Sequence, residues 1–297
     1  MSNVKFTGVI PAMVTPLCED NRTVNTASVK SIVERQISEG ANGFYILGGT
    51  GEGFVMPREQ REIMCESTVR AVGGRVPIIN HVAAANLSDA IELARHAERA
   101  GVDAIAAIPP TLFHYGDGEI YNYYKKLAES VHIPVIIYYY PGAQAVMSAS
   151  LISHIFEIDN VTGVKWSSIN FIEMIKLKDM TNGDMNILNG EDFILLPSLA
   201  AGADAGVGAT YNVMLPEFVS IYKDFKAGRL DAALETQRKV NRVAEFFCNN
   251  EVIPSVKLAM KLLGNDVGAA TLPLRQFTSE EEATFERDIR ALGWPFK

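Results

Sequence analysis

The sequence predicts an α/β chain folded as a (β/α)8 TIM barrel with a C-terminal helical appendage. Three observations carry this expectation. Short apolar runs alternate with longer amphipathic segments from about residue 7 to about residue 226, eight such strand-then-helix units can be placed, and residues 227–297 read as helices only. Strand followed by helix, repeated across short loops, means a parallel sheet. A barrel is favoured over an open sheet because eight units in roughly 250 residues is the usual barrel size.

In chain order the strands are expected over 8–14 (GVIPAMV), 43–47 (GFYIL), 77–82 (PIINHV), 104–108 (AIAAI), 134–140 (PVIIYYY), 161–165 (VTGVK), 185–188 (MNIL) and 205–208 (AGVG). Each is a short apolar run bounded by glycine, proline or polar residues, the pattern of a buried strand. Helical patterns lie between them over 27–39, 57–72, 87–100, 118–131 and 217–226. Beyond residue 230 three more are expected, over 231–247, 252–263 and 279–292, broken by Gly264 and Pro273. The barrel is assigned to 1–226 and the helices packed on it to 227–297, as one structural unit without a linker-like run.

Composition narrows the function classes. Of 297 residues, 48% are hydrophobic and 21% charged, ample for a large core. The net charge of −8 is spread along the chain and no basic stripe is present, which argues against a nucleic-acid partner. The N-terminus Met1 to Lys5 lacks the regions of a signal peptide, and no apolar run approaches the ~18 residues of a membrane span. A cytoplasmic location is expected. Cys18, Cys65 and Cys248 form no C-x-x-C pair and read as reduced thiols. The five histidines show no H-E-x-x-H spacing, so no catalytic metal is expected. His81, inside the third strand, reads as a hydrogen-bonded core histidine, and 114–124 as a loop entering a helix.

The residue that stands out is Lys165, at the inner end of an apolar strand and just before Ser167-Ser168. A buried ammonium is disfavoured by desolvation, whereas a lysine that sheds its proton is a nucleophile suited to forming a Schiff base with a carbonyl substrate. In a barrel the site lies at the C-terminal ends of the strands. There the second strand is followed by Gly48-Gly49-Thr50-Gly51-Glu52, either a plain turn or an anion nest in which backbone N–H groups and the Thr50 hydroxyl hold a carboxylate or phosphate. It is not a Walker A loop, since no lysine follows in the required place. Tyr138 and Tyr140 share one face of the fifth strand and Tyr139 the other, so Tyr138 can carry protons at the site or pack its rim. Asn189 to Phe193 and Gly206 to Asn212 follow the last two strands. Glu191 and Asp192 can serve acid–base work or hydroxyl binding, or form the acidic first turn of a helix.

Together these residues resemble the pyruvate-dependent class I aldolase family that contains N-acetylneuraminate lyase and dihydrodipicolinate synthase. The G-x-T-G-E turn at Gly48 to Glu52, a tyrosine three residues before a proline (Tyr138, Pro141) and the sixth-strand Lys165 occur in family order and spacing, and the resemblance spans essentially the whole chain. It implies imine formation by Lys165, proton shuttling by Tyr138, and a substrate carboxylate held at Gly49 and Thr50. Ser167, Gly190, Asp192 and Gly208 are implied to bind the remainder of the substrate. It also implies a small-molecule 2-oxo acid, pyruvate and an aldehyde as ligands, no cofactor beyond the covalent imine, and a homotetramer.

The branch resembled most is the sialic acid lyase. The synthase arginine two residues after the proline is replaced by Ala143, and the tyrosine pair after Pro110 by Thr111 and Leu112. Ser167, the Gly190-x-Asp192 pattern and Tyr211-Asn212 after Gly208 are lyase-like. Three positions depart from that branch: Gly49 replaces a hydroxyl residue, Phe193 a glutamate and Ala209 a serine. These changes leave the pyruvate chemistry intact and point to a smaller or less polar aldehyde. The alternatives are a 2-keto-3-deoxy sugar acid aldolase or dehydratase, the synthase, and a non-catalytic keto-acid-binding barrel.

Overall fold

The computed structural model describes residues 5–142 and 147–296. Ala143, where the synthase branch carries its arginine, lies outside the described residues, as do residues 1–4. The expected barrel is present. Eight parallel strands, β1 (Gly8–Pro11), β2 (Phe44–Ile46), β3 (Ile78–His81), β4 (Ala104–Ala107), β5 (Val135–Tyr139), β6 (Val161–Trp166), β7 (Asn186–Asn189) and β8 (Ala205–Gly208), pair in sequence order, with β8 beside β1. The seam between β1 and β2 is closed by the Ala12–Tyr45 bridge, where the Met13 N–H donates to the Tyr45 carbonyl at 2.9 Å.

Around the strands run α1 (Thr26–Ser38), α2 (Arg58–Val72), α3 (Leu87–Ala100), α4 (Asp117–Ala128), α5 (Ala149–Phe156), α6 (Phe171–Met180), α7 (Leu195–Ala200) and α8 (Tyr211–Lys226). Their starts are chemically marked. The side chains of Asn25, Asn86, Ser148 and Asn170 each accept from the third backbone N–H of the helix they precede, satisfying donors that have no intrahelical partner. Gly73 and Gly101 end α2 and α3 in left-handed conformation, at φ 57° and 95°. Helix α4 starts at Asp117, so the stretch from His114 is a loop that enters a helix, as expected.

Two layers of core follow from strand alternation. Ile10, Tyr45, Ile79, Ala106, Ile136 and Val207 fill the barrel interior, while residues such as Val9, Phe44, Ile137, Tyr139 and Trp166 pack between strands and helices. The seam is held from outside by Asn212. Its buried Nδ2 donates to Ala12 O at 2.7 Å and Ala209 O at 2.8 Å, and its Oδ1 accepts from Gln36 Nε2 at 3.1 Å. Asn212, met in the sequence as a lyase-like position, thus serves the architecture.

Helix α8 begins at Tyr211, six residues before the expected start. Pro216 suggests a later beginning, but a kink at Met214 (φ −139°) lets a first turn precede the proline, which cannot donate to the preceding ladder. Beyond α8 lie α9 (Leu230–Asn249), α10 (Val252–Leu262) and α11 (Ser279–Ala291). They pack on the barrel: Gln237 of α9 accepts from the Leu196 N–H at 3.0 Å, and the Trp294 indole donates to Val213 O at 3.3 Å. No helix is long and apolar enough to cross a membrane among the described residues.

Candidate active site

Lys165 and Tyr138 are register partners on adjacent strands β6 and β5. Both point into the mouth of the barrel. Lys165 is only 6% exposed, and its Nζ lies 4.0 Å from the centroid of the Tyr138 ring and 4.8 Å from that of Tyr45. Two aromatic rings thus flank the Lys165 amine. The alternation read from the sequence holds. Tyr139 turns outward onto Trp166 at 4.5 Å, while Tyr138 and Tyr140 stack at 6.4 Å on the inner face.

Thr50, Tyr138, Lys165, Gly190 and Asp192 line one cavity of about 160 Å3. Its turn Gly48–Gly51 has the properties of an anion nest. Gly48 has no room for a side chain because the Tyr45 ring lies where a Cβ would stand, whereas Gly49 faces open space. Among the described residues the N–H groups of Gly49 and Thr50 donate to no protein acceptor, and Thr15 Oγ1 holds the Gly51 carbonyl at 2.6 Å. Backbone donors without a protein acceptor, in a turn whose Thr50 lines the cavity of the buried Lys165, suit a carboxylate.

His81 is the core histidine expected, and it also borders the site. The Ile108 N–H donates to its Nε2 at 3.3 Å, which assigns the proton to Nδ1, 3.2 Å from the Leu47 carbonyl that accepts it. Burial pushes its pKa well below the usual histidine value, with Arg61 and Lys165 adding to the effect, so the ring is neutral. Its plane meets Tyr138 edge-on at 5.9 Å and limits the tilt of the phenol.

At the far side, Asp192 opens a short 3-10 turn (Asp192–Ile194) after β7. Its Oδ2 accepts from the Thr210 N–H at 2.8 Å and the Thr210 hydroxyl at 2.7 Å. Burial nonetheless raises its pKa, the Thr210 hydrogen bonds and Lys165 opposing the shift. Glu191 is raised by burial and by Asp192, with Lys165 again opposing. Asp192 therefore joins the two readings left open by the sequence: it begins a helical turn and it lines the cavity. Gly208 is glycine because a Cβ would overlap Asp192 Oδ1 and the Tyr211 ring, and Gly190 because a Cβ would overlap Ser167 Oγ.

Comparison with known proteins agrees with this geometry. A family model described as the Dihydrodipicolinate synthetase family matches residues 5–292. The chain belongs to this family. Similar proteins include N-acetylneuraminate lyase of Rhizobium meliloti (strain 1021), 27% identical over 98% of this chain and 97% of that one. A 4-hydroxy-tetrahydrodipicolinate synthase of Oceanobacillus iheyensis is 30% identical over 94% of each. The solved Proteus mirabilis N-acetylneuraminate lyase superposes with a TM-score of 0.93 at 29% identity, over 98% of this chain and all of that one (100%). As a member of the dihydrodipicolinate synthetase family, the protein is an enzyme of the lyase class.

Of the residues singled out in the sequence of this family member, Gly49, Ser167 and Gly208 do not themselves line the cavity. Ser167 is buried, with its hydroxyl 3.4 Å from the Gly190 carbonyl, and Gly49 opens outward. The sequence also left out part of the site. Tyr45 is one case; its inner-face position follows from the alternation along β2. The other is part of a less polar wall: Phe193 and Ala209, singled out in the sequence, are joined there by Ala244, Cys248 and Val252 from α9 and α10. Ordinary helical periodicity gives no sign that those last three meet a strand end. A larger cavity, about 750 Å3, lies elsewhere, between the β1–α1 loop and the C-terminal segment. Its cations Lys257, Lys261 and Arg275 are paired with Glu52, Glu282 and Glu281, whereas Lys165, at its own cavity, is in no ion pair among the described residues.

Proposed function

We propose that this protein is a Schiff-base aldolase that reversibly cleaves a 2-oxo acid to pyruvate and an aldehyde, acting most like N-acetylneuraminate lyase. The observation that carries the reading is the placement of the buried Lys165 amine against Tyr138, across one small cavity from Thr50 and the free Gly49–Thr50 amides. The neutral amine attacks the C2 ketone, and the Tyr138 phenol gives its proton to the departing hydroxyl, which leaves as water; an iminium and a Tyr138 phenolate remain. The phenolate removes the C4 hydroxyl proton as the C3–C4 bond breaks. The bond electrons enter the iminium to give an enamine, and the aldehyde is released. Protonation at C3 and hydrolysis then free pyruvate and regenerate Lys165. The iminium is the electron sink, so no cofactor is needed.

In this scheme the substrate carboxylate rests on the Gly49 and Thr50 amides and the Thr50 hydroxyl, where fixed dipoles orient it. Ser167, Gly190, Asp192 and Gly208 shape the region for the tail. A second reading, cleavage or dehydration of a 2-keto-3-deoxy sugar acid, is favoured by the cavity of about 160 Å3 and its wall of Phe193, Ala209 and Val252. That space is below the ~300 Å3 at which drug-sized ligand pockets begin, and it favours a short tail. The exposed Ile169, Ile172 and Met180 on and beside α6, and Leu112 and Phe113 near the mouth, support assembly into a homotetramer; the protein is further proposed to work in the cytoplasm.

Borohydride reduction in the presence of pyruvate, followed by peptide mass mapping, tests the chemistry: an adduct is expected on Lys165, and its absence would reject the mechanism. A panel of sialic acid and keto-deoxy sugar acids, with pyruvate release followed by a coupled dehydrogenase, separates the two substrates.

A further inference from the structure

The turn that offers the free amides is flanked by two residues in a backbone conformation that side chains disfavour. Leu47, just before Gly48, has φ 60°, and Glu52, just after Gly51, has φ 59°. Such residues are strained and persist only where the surroundings hold them. At the leading end the holder is His81, whose Nδ1–H meets the Leu47 carbonyl. At the trailing end it is the Glu52 carboxylate. One oxygen accepts from the Thr271 N–H at 2.5 Å and the other meets Lys257 Nζ at 2.5 Å, while Lys257 also donates to the Ala269 carbonyl at 3.0 Å.

Both side chains of this ion pair are essentially without solvent exposure, at 0% for Glu52 and 1% for Lys257. A buried pair of this kind is a poor source of stability, because desolvation of the two charges offsets their attraction. It is, however, directional. Lys257 lies on α10 and Thr271 on the segment after it, so the pair ties the turn to helices outside the barrel. We infer that Glu52 and Lys257 are positioning residues, whose buried ion pair fixes the pitch of the Gly49–Thr50 amides and so sets affinity for the carboxylate of the 2-oxo acid. The pair touches no substrate. It acts through Gly51, the one residue between Glu52 and Thr50, where a shift of about 1 Å is enough to cost roughly 100-fold.

This inference rests on the Schiff-base reading, and the experiment separates the two. Borohydride trapping on Lys165 is measured against pyruvate concentration in the full-length wild type and in the E52Q/K257M variant, with thermal melting alongside. The double substitution removes both charges, leaving neither buried alone. The expected result is a folded variant that needs roughly 10- to 100-fold more pyruvate for half-maximal trapping while reaching the wild-type plateau. A merely structural pair would lower the melting temperature and leave the half-saturating concentration unchanged, and that result overturns the inference. If the neutral pair does not fold, Glu52→Asp carries the test, since it keeps the charge and withdraws the carboxylate by one methylene. The same rise is expected, and an unchanged concentration is again decisive against the inference. No adduct in the wild type overturns the Schiff-base reading and this inference with it.

Discussion

Lys165 Nζ lies 4.0 Å from the centroid of the Tyr138 ring, on the strand directly beside it and in the same register position. The ring face and the phenol oxygen of one residue therefore offer two separable functions, packing against the amine and moving a proton. Tyr138→Phe keeps the face and loses the oxygen. It is expected to lower the rate of aldol cleavage by about 10²- to 10⁴-fold while leaving borohydride trapping on Lys165 detectable. Equal loss of both activities would make the tyrosine a packing residue.

Gly208 and Asp192 test how tightly the tail region is built. A methyl group at 208 has no room beside Asp192 Oδ1 and the Tyr211 ring, both held by buried neighbours. Gly208→Ala is expected to destabilise the protein by about 1–3 kcal/mol, the usual range for overpacking, and to reduce turnover more than pyruvate trapping. Denaturant unfolding and single-turnover trapping read the two effects apart.

Asp192 also predicts a pH dependence with a definite sign. Burial raises its native pKa above the ordinary 3.8, so between 3.8 and the raised value the folded protein holds a proton that the unfolded chain has lost. Stability from this group therefore falls as pH rises through that window, and its ionised form is a standing cost at neutral pH. Asp192→Asn can still accept from Thr210 and should melt at a higher temperature than wild type at pH 7. The difference should close as pH is lowered toward 3.8. A gap independent of pH would show that the charge is not the cause.

Phe193 sets the character of the tail wall. Phe193→Glu places a carboxylate where the resembled lyases carry one, and is expected to shift the ratio of kcat/KM values toward polyhydroxylated substrates by roughly 10-fold, about one good hydrogen bond to a charged group. Trapping with pyruvate alone should be unaffected. A ratio that does not move would place substrate selection elsewhere in the cavity.

Most of the architecture was legible because strands and helices advertise themselves by period. The eight strand positions hold, shortened at some ends and extended by one residue to Trp166 and to Asn189, since a buried parallel strand needs an unbroken apolar run that few other elements share. Helices α5, α6 and α7 were not placed. They are short, and α6 exposes Ile172 and Ile175 at 70% and 45%, which blurs the amphipathic pattern that reveals longer helices. Lys165, Tyr138 and the Gly48–Glu52 turn were readable as a set because each is an unusual residue at a strand end.

Local period, and residue types that are costly unless used, mark the barrel, the strand that carries Lys165, the face that carries Tyr138 and the Gly48–Glu52 turn. What surrounds them is set by packing between distant parts of the chain. Lys257 and Glu52 stand 205 positions apart, and Cys248 and Val252 line one cavity with Ala209 from 39 and 43 positions away. Such contacts arise from how the last helices dock on the barrel, and packing between distant surfaces leaves no periodic trace in either segment.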